Sequence, residues 1–316
     1  MTSISVQEQL KQYMEDKKCS LNSIAKSTQY TSAVLSQWMN GKYPGDNKAV
    51  DKAILNFLSV EENRKQDEKF NAEIPFIEHV NFRLFNEVAS ICHQNCEIGL
   101  ITGEPGEGKS TSGRKYAEMH PDTVYIEVHR AFTTKSLFRE IYEILGGNIT
   151  KPTGIYDLVE DLIARLKGSK RLIIIDQAEY LPERALDLVR TIHDSCVVNG
   201  KSTIGILLTG LPRLYENIKG YNNQFAQLYQ RISWYKKLGV RKSITYTHGI
   251  SQGDVVDFVQ SVFPRANGEC SKLGELSKFN PRVLVRLIER CHRICITNNI
   301  ALSNEVIDEA AKSIIL

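Results

Sequence analysis

No apolar run in this sequence approaches the roughly 18 residues that a membrane-crossing helix needs, so no membrane span is expected. The opening residues, Met1-Thr2-Ser3-Ile4-Ser5, show neither the basic start nor the apolar stretch of a signal peptide. Internal repeats and low-complexity tracts are absent, which argues against solenoids and disordered linkers. An excess of one charge is missing too. Lys plus Arg number 40 against 37 Asp plus Glu, a net charge of +3, so any surface for nucleic acid has to be local. Cysteines number seven, an odd count without the spacing of a small disulfide scaffold, and reduced thiols in a cytoplasmic protein are expected. Cys92-His93-x-x-Cys96 and Cys291-His292-x-x-Cys295 carry metal-ligating residue types. Zinc knuckles place C-x2-C on a turn, however, and here both pairs fall at i, i+4 in apolar-flanked helical segments. Buried thiols are the plain explanation.

What is present is an ordinary globular chain: 316 residues, 42% hydrophobic and 24% charged, enough for two or three domains with real cores. A helical segment is expected over 1–60. The charged run after Leu58, without an apolar period, reads as a linker over 61–75 or as a solvated helix end. Over 76–244 apolar strands alternate with amphipathic helices, the pattern of a parallel α/β sheet. Helical stretches follow over 245–316.

The strongest local signal lies in the middle segment. A short apolar strand, 97–102, runs into Gly103-Glu104-Pro105-Gly106-Glu107-Gly108-Lys109-Ser110, which fits G-x-x-x-x-G-K-[ST] in full. The glycines let the backbone curl so that successive N–H groups face phosphate oxygens. Lys109 supplies positive charge at the β- and γ-phosphates, and the Ser110 hydroxyl can ligate Mg²⁺. The helix opening at Lys109-Ser110-Thr111 adds its positive end. An ATP site with Mg²⁺ follows from this pattern.

Two further strands end in polar residues. The run 171–176 is apolar up to Asp176, which would emerge at the carboxyl edge beside the phosphate loop and hold Mg²⁺. The alternative is a strand-end Asp that caps the next helix. The run 203–210 ends in Thr209, suited to touch the γ-phosphate or the attacking water, or else a hydroxyl that satisfies a loop. A fourth strand is expected over 123–128.

Near the N-terminus, Ser20 is positioned to cap a short helix, 21–27. After a turn at Thr28-Gln29-Tyr30 a second helix runs over 31–40 and stops at Gly41. Ala25 permits a close crossing, and Ile24, Val34, Leu35 and Trp38 supply apolar contacts. This pair resembles the helix-turn-helix of phage repressors, although Gln29 stands where that motif has glycine, and a left-handed glutamine is costly. In that motif the second helix enters the major groove, making Ser32, Ser36, Gln37 and Lys42 candidate DNA contacts. A small bundle for protein contacts is the alternative.

The order phosphate loop, Ile-Ile-Ile-Asp-Gln-Ala-Glu, polar-tipped strand and then Phe225-Ala226-Gln227-Leu228-Tyr229-Gln230-Arg231-Ile232 resembles the AAA+ ATPases. With Phe279-Asn280-Pro281-Arg282 and the N-terminal helices, the likeness is closer to the DNA-transposition ATPases of the phage Mu B type, over essentially the whole chain. The resemblance implies a five-stranded parallel α/β core, an N-terminal helix-turn-helix domain and a helical lid. It makes Arg231 an arginine finger acting on a neighbouring subunit's nucleotide, and Arg282 a lid arginine; ordinary surface or ion-pairing roles are the alternatives. It also implies backbone grip on DNA, for which Arg130, Lys135 and Lys151 are candidates. One departure matters. The residue after Asp176 is Gln177, where the family has Glu. An amide can orient water but cannot take its proton. Glu179 stands two residues on, so hydrolysis is expected to be slow or partner-dependent.

The function implied is an ATP-dependent ATPase that oligomerises on double-stranded DNA and recruits or activates a transposase. The setting would be the cytoplasm of a bacterial host, with the gene on a mobile element or prophage. The alternative class is a helix-turn-helix transcription regulator with ATP-gated oligomerisation. A weaker third option is a secretion-type or signalling ATPase that binds no DNA.

Overall fold

The computed structural model describes residues 5–69, 72–149, 153–220, 225–239 and 249–314. The chain forms two compact units, Met1–Ala72 and Glu73–Leu316.

The first unit is built of four helices, α1 (Val6–Lys17), α2 (Leu21–Lys26), α3 (Ser32–Met39) and α4 (Asn47–Lys69). Ser5 and Glu8 form a reciprocal capping box on α1, and Ser20 and Thr31 cap α2 and α3 through their hydroxyls. Leu10, Ile24, Leu35, Trp38, Val50 and Ile54 make one buried core. The Trp38 indole N–H donates to Asp51 at 3.0 Å, which satisfies its one polar atom. The turn between α2 and α3 avoids the left-handed residue of the phage-repressor motif, as Gln29 in the glycine position leads one to expect. Gln29 is not among the residues with positive φ, and the chain leaves α2 through a right-handed Ser27, so the turn has no need of glycine. The charged run is helical to Lys69, the helix-end alternative of the two. Its Glu, Lys, Arg and Gln residues are good helix formers.

The second unit contains a five-stranded, wholly parallel sheet of β1 (Ile98–Thr102), β2 (Thr123–Glu127), β3 (Leu172–Asp176), β6 (Gly205–Gly210) and β7 (Ile232–Lys237), in the order β2-β3-β6-β1-β7. The short strands β4 (Val197–Val198) and β5 (Lys201–Ser202) form a separate hairpin. Its two turn residues, Asn199 and Gly200, both have positive φ, as a twist-matched hairpin turn requires. The inner strands β1, β3 and β6 are buried at every residue, whereas β2 alternates and β7 is mostly exposed. Central strands of a covered sheet read as continuous apolar runs for this reason. Burial of each isoleucine of Ile173-Ile174-Ile175 stabilises the sheet by about 1.5–3 kcal/mol.

Helices α5 (Val80–Asn95), α6 (Lys109–Met119), α7 (Thr134–Ile144), α8 (Ile155–Leu166), α9 (Glu183–Ser195), α10 (Pro212–Lys219) and α11 (Ala226–Arg231) connect or cover these strands. After residue 249 come four more, α12 (Gln252–Gln260), α13 (Gly268–Leu276), α14 (Pro281–Asn298) and α15 (Asn304–Lys312). They bury their own core, and Ile74, Ile77 and Val80 from the start of the unit pack against it. Among the described residues no helix is long and apolar enough to cross a membrane.

Candidate nucleotide site

The carboxyl ends of β1, β3 and β6 meet at one edge of the sheet, and the loop 103–108 lies there between β1 and α6. Gly106 and Gly108 both have φ +89°, a conformation that side-chain-bearing residues adopt only with strain. A Cβ on Gly108 would come within 3.1 Å of the His79 ring, so the loop is also closely backed. Lys109 is buried, and its ammonium donates to the Gly103 carbonyl at 2.6 Å and the Glu104 carbonyl at 2.9 Å. Burial pushes the lysine's pKa down, while the charges of Asp176, Glu179, Glu107 and Glu104 oppose that shift. Glu107 is turned inward. Asn81 donates to its carboxylate at 2.5 Å and to its carbonyl at 3.2 Å, and accepts from the Gly239 N–H at 3.4 Å. The loop is therefore fastened to α5 and to the end of β7.

Asp176 is buried at the tip of β3, in register with Glu127 of β2. Its two oxygens accept from two hydroxyls, Oδ1 from Thr209 on β6 and Oδ2 from Tyr125 on β2 at 3.0 Å. Burial, and next the Asp176 charge, push the Tyr125 phenol well above its usual range, so it stays a donor. Arg114, on the helix that follows the phosphate loop, hydrogen-bonds Tyr125 and pairs with Glu127 at 3.3 Å.

Gln177 leaves this strand end with φ 56°, and its amide donates to Glu127 at 2.6 Å. Glu179 follows on a one-turn 3-10 helix, Ala178–Tyr180, which directs it inward. Its side chain is 2% exposed; it accepts from the Leu211 N–H at 3.3 Å and lies 3.8 Å from Arg213. A Cβ on Gly210 would stand 2.2 Å from its carboxylate, so only glycine fits beside it. Thus Lys109, Asp176, Thr209 and Glu179 come together, whereas Gln177 is held toward the outer strand.

Arg231 is placed elsewhere. It ends α11, just before Ile232, which pairs with Ile98 at the beginning of β1, the sheet edge opposite the loop. Its guanidinium is 58% exposed and bonds Asp194 at 3.1 Å, a carboxylate shared with Arg190. It is remote from the loop of its own chain.

Arg282 is exposed in the first turn of α14, next to the loop's rim. Asn280, the cap of α14, donates to the Pro105 carbonyl at 2.8 Å. The two residues before it, Lys278 and Phe279, have φ 51° and 58°. Left-handed backbone at a non-glycine residue costs about 1–3 kcal/mol and persists where its surroundings enforce it. Asn280, Tyr125 and Asn81 were not singled out from the sequence. For Asn280 there was a signal, since Asn before Pro marks a helix start.

Of the candidate DNA residues, Gln37 and Lys42 are exposed, and Ser32 and Ser36 are half-buried on α3. The Arg130 guanidinium lies over the Tyr180 ring, 5.5 Å from its centroid. Lys135 is exposed at the start of α7, and Lys151 falls outside the described residues. Cys92 and Cys291 are fully buried, and burial pushes both thiols up to about 12. They are unreactive core residues.

The donor set suits a nucleotide with Mg²⁺. A buried ammonium that rests on neutral carbonyls, the free N–H groups of a helix start and a carboxylate held by two hydroxyls are what a polyphosphate and its cation require. Residues 92–218 match the family model described as an AAA domain. The chain is 26% identical over 244 residues to the ATP-dependent target DNA activator B of Escherichia phage Mu, covering 74% of this chain and 72% of that protein. Against the Mu-like prophage FluMu DNA transposition protein B of Haemophilus influenzae it is 26% identical over 240 residues, covering 74% and 79%. Among solved structures, Cdc6p of Pyrobaculum aerophilum superposes with a TM-score of 0.58 at 14% identity, over 79% of this chain and 71% of that one, a likeness of fold.

Proposed function

We propose, from the chain's place among the AAA+ ATPases of the DNA-transposition type, that it binds and slowly hydrolyses ATP. In the ATP state it assembles on double-stranded DNA with little sequence preference, and there it recruits or activates a transposase. The observation that carries the reading is the joining of a complete phosphate loop to Asp176, Thr209 and Glu179 at one sheet edge. The names of two relatives, a target DNA activator and a DNA transposition protein, supply the direction.

In this reading Lys109 exchanges its carbonyl partners for the β- and γ-phosphates, and the N–H groups from Gly106 to Thr111 hold the phosphate oxygens. Ser110 and Asp176 would hold Mg²⁺, which supplies charge neutralisation at the phosphates when bound. Thr209 and Tyr125 donate to the two oxygens of the Asp176 carboxylate and hold it aimed. Gln177 lacks a proton-accepting oxygen of useful basicity and is turned to Glu127. Glu179, buried and close enough to act on Lys109, is the carboxylate that remains to orient or deprotonate water. Arg231 faces outward and would complete the site of an adjoining subunit, and Arg282 would meet the nucleotide from the lid. Ser32, Ser36 and Gln37 on α3, and Lys42 just after it, are proposed to touch DNA, and Arg130, Lys135 and Lys151 to contact the DNA backbone. A cytoplasmic setting in a bacterial host accords with these partners.

The test is fluorescence anisotropy on two unrelated duplexes at one salt concentration, without nucleotide, with ADP and with a slowly hydrolysed ATP analogue. Tight binding to both duplexes only with the analogue is expected. Binding to neither in any state would sink the DNA reading. The helix pair α2 and α3 favours a second reading, an ATP-gated transcription regulator, which predicts instead a single preferred duplex.

A further inference from the structure

Asn280 serves two elements with one side chain. Its Oδ1 accepts from the Arg282 N–H at 3.0 Å and the Val283 N–H at 3.3 Å, and so caps α14. Its Nδ2 donates to the Pro105 carbonyl inside the phosphate loop at 2.8 Å. The approach is close, since a Cβ on Gly106 would lie 2.3 Å from Asn280 Oδ1. The lid core fixes the other side. Phe279 is buried, its N–H donates to the Gly274 carbonyl at 3.0 Å, and its carbonyl accepts from the Ile250 N–H at 2.8 Å. Those bonds hold Lys278 and Phe279 in the left-handed region and deliver Asn280 to the loop.

We infer that Asn280 is a positioning residue for nucleotide binding, which sets the first turn of α14, and with it Arg282, against the phosphate loop. The inference rests on the proposed reading of the loop as an ATP site and of Arg282 as the lid arginine. An amide is suited to the task because it is both acceptor and donor. Ser and Asp cap helices about as well. The serine hydroxyl falls short of the Pro105 carbonyl, and a carboxylate has no proton to donate to it. Cap and latch can therefore be separated by substitution.

The experiment uses the full chain as wild type, N280S, N280D, R282A and N280S/R282A. It measures melting temperature and the Kd for a fluorescent ADP and a slowly hydrolysed ATP analogue. N280S and N280D should melt within about 2 °C of wild type, since the cap is kept. Each should bind the analogue up to about tenfold more weakly, the scale of one lost hydrogen bond. R282A should lose affinity as well, and the double variant no more than the worse single, because both act through one contact. Wild-type affinity in N280S, or losses that multiply in the double variant, would overturn the inference while leaving the ATP site in place. A wild-type chain that binds neither nucleotide would bring down the ATP reading, and the inference with it.

Discussion

The Thr209 hydroxyl donates to Asp176 Oδ1 across neighbouring strands β6 and β3, and both residues are about 1% exposed. A hydroxyl that donates to a buried carboxylate fixes the direction in which that carboxylate points. Val has nearly the shape of Thr but no donor. Thr209→Val should therefore fold, bind nucleotide within about threefold of wild type, and turn over ATP about 10–100-fold more slowly. Steady-state phosphate release beside equilibrium titration separates the two effects. An unchanged kcat would assign Thr209 to loop satisfaction alone.

The roles of Gln177 and Glu179 divide in a second experiment. Glu179→Gln should lower kcat by about 10²-fold or more, the scale for loss of a general base, with little change in nucleotide affinity. Gln177→Glu sets a carboxylate against that of Glu127, away from Lys109 and Asp176, and should not raise turnover. A Glu179→Gln chain as active as wild type would move the base elsewhere.

Arg231 is predicted to act between subunits. Arg231→Ala should abolish ATP turnover by about 10³-fold, yet leave nucleotide binding by the isolated chain intact. Mixed with Lys109→Ala chains, it should regain part of the activity, because one partner brings an arginine and the other a loop. Mixtures as inactive as their parts would leave Arg231 as a structural partner of Asp194 and Arg190.

His79 gives a pH dependence of known sign. Burial, aided by Arg83 and opposed by Asp254, takes its pKa from 6.5 down to about 4. Above pH 6.5 the imidazole is neutral in both folded and unfolded chains and contributes no slope. As pH falls from 6.5 toward 4 the unfolded chain takes up the proton first, so stability declines, by about 3 kcal/mol once pH is below the folded value. His79→Asn keeps an acceptor for the Phe82 N–H, which His79 now caps at 3.3 Å. It should flatten that part of the profile when denaturant unfolding is compared at pH 7 and pH 4.5. Equal slopes in the two proteins would count against a neutral, buried histidine.

Much of the core was legible because it is local. The phosphate loop is one contiguous motif, and β1, β3 and β6 are apolar runs ended by Gly103, Asp176 and Gly210. Strand β7 escaped a secure reading, since Ile-Ser-Trp-Tyr-Lys-Lys lies at an edge and exposes most of its side chains. The contacts of Tyr125 and Asn280 were illegible for another reason. Their partners stand 51 and 175 residues away, and only the parallel crossovers and the lid bring them close. The inward turn of Glu179 depends on a single 3-10 turn after a left-handed Gln177, which no periodicity announces. The cost of a left-handed glutamine at Gln29 was legible, and the turn avoids it, because Ser27 exits its helix in a right-handed conformation.

The lysine of the loop already has acceptors within the loop itself. With its ammonium on the Gly103 and Glu104 carbonyls, Lys109 ties the first residues of the loop to the start of the helix that follows and so helps keep the loop curled. Nucleotide arrival is then a change of partner within a cradle that already has its shape, and association should be governed by encounter more than by folding of the loop. The same contact makes departure self-healing. A released phosphate leaves no stranded buried charge, so the empty subunit loses nothing in integrity between one cycle and the next.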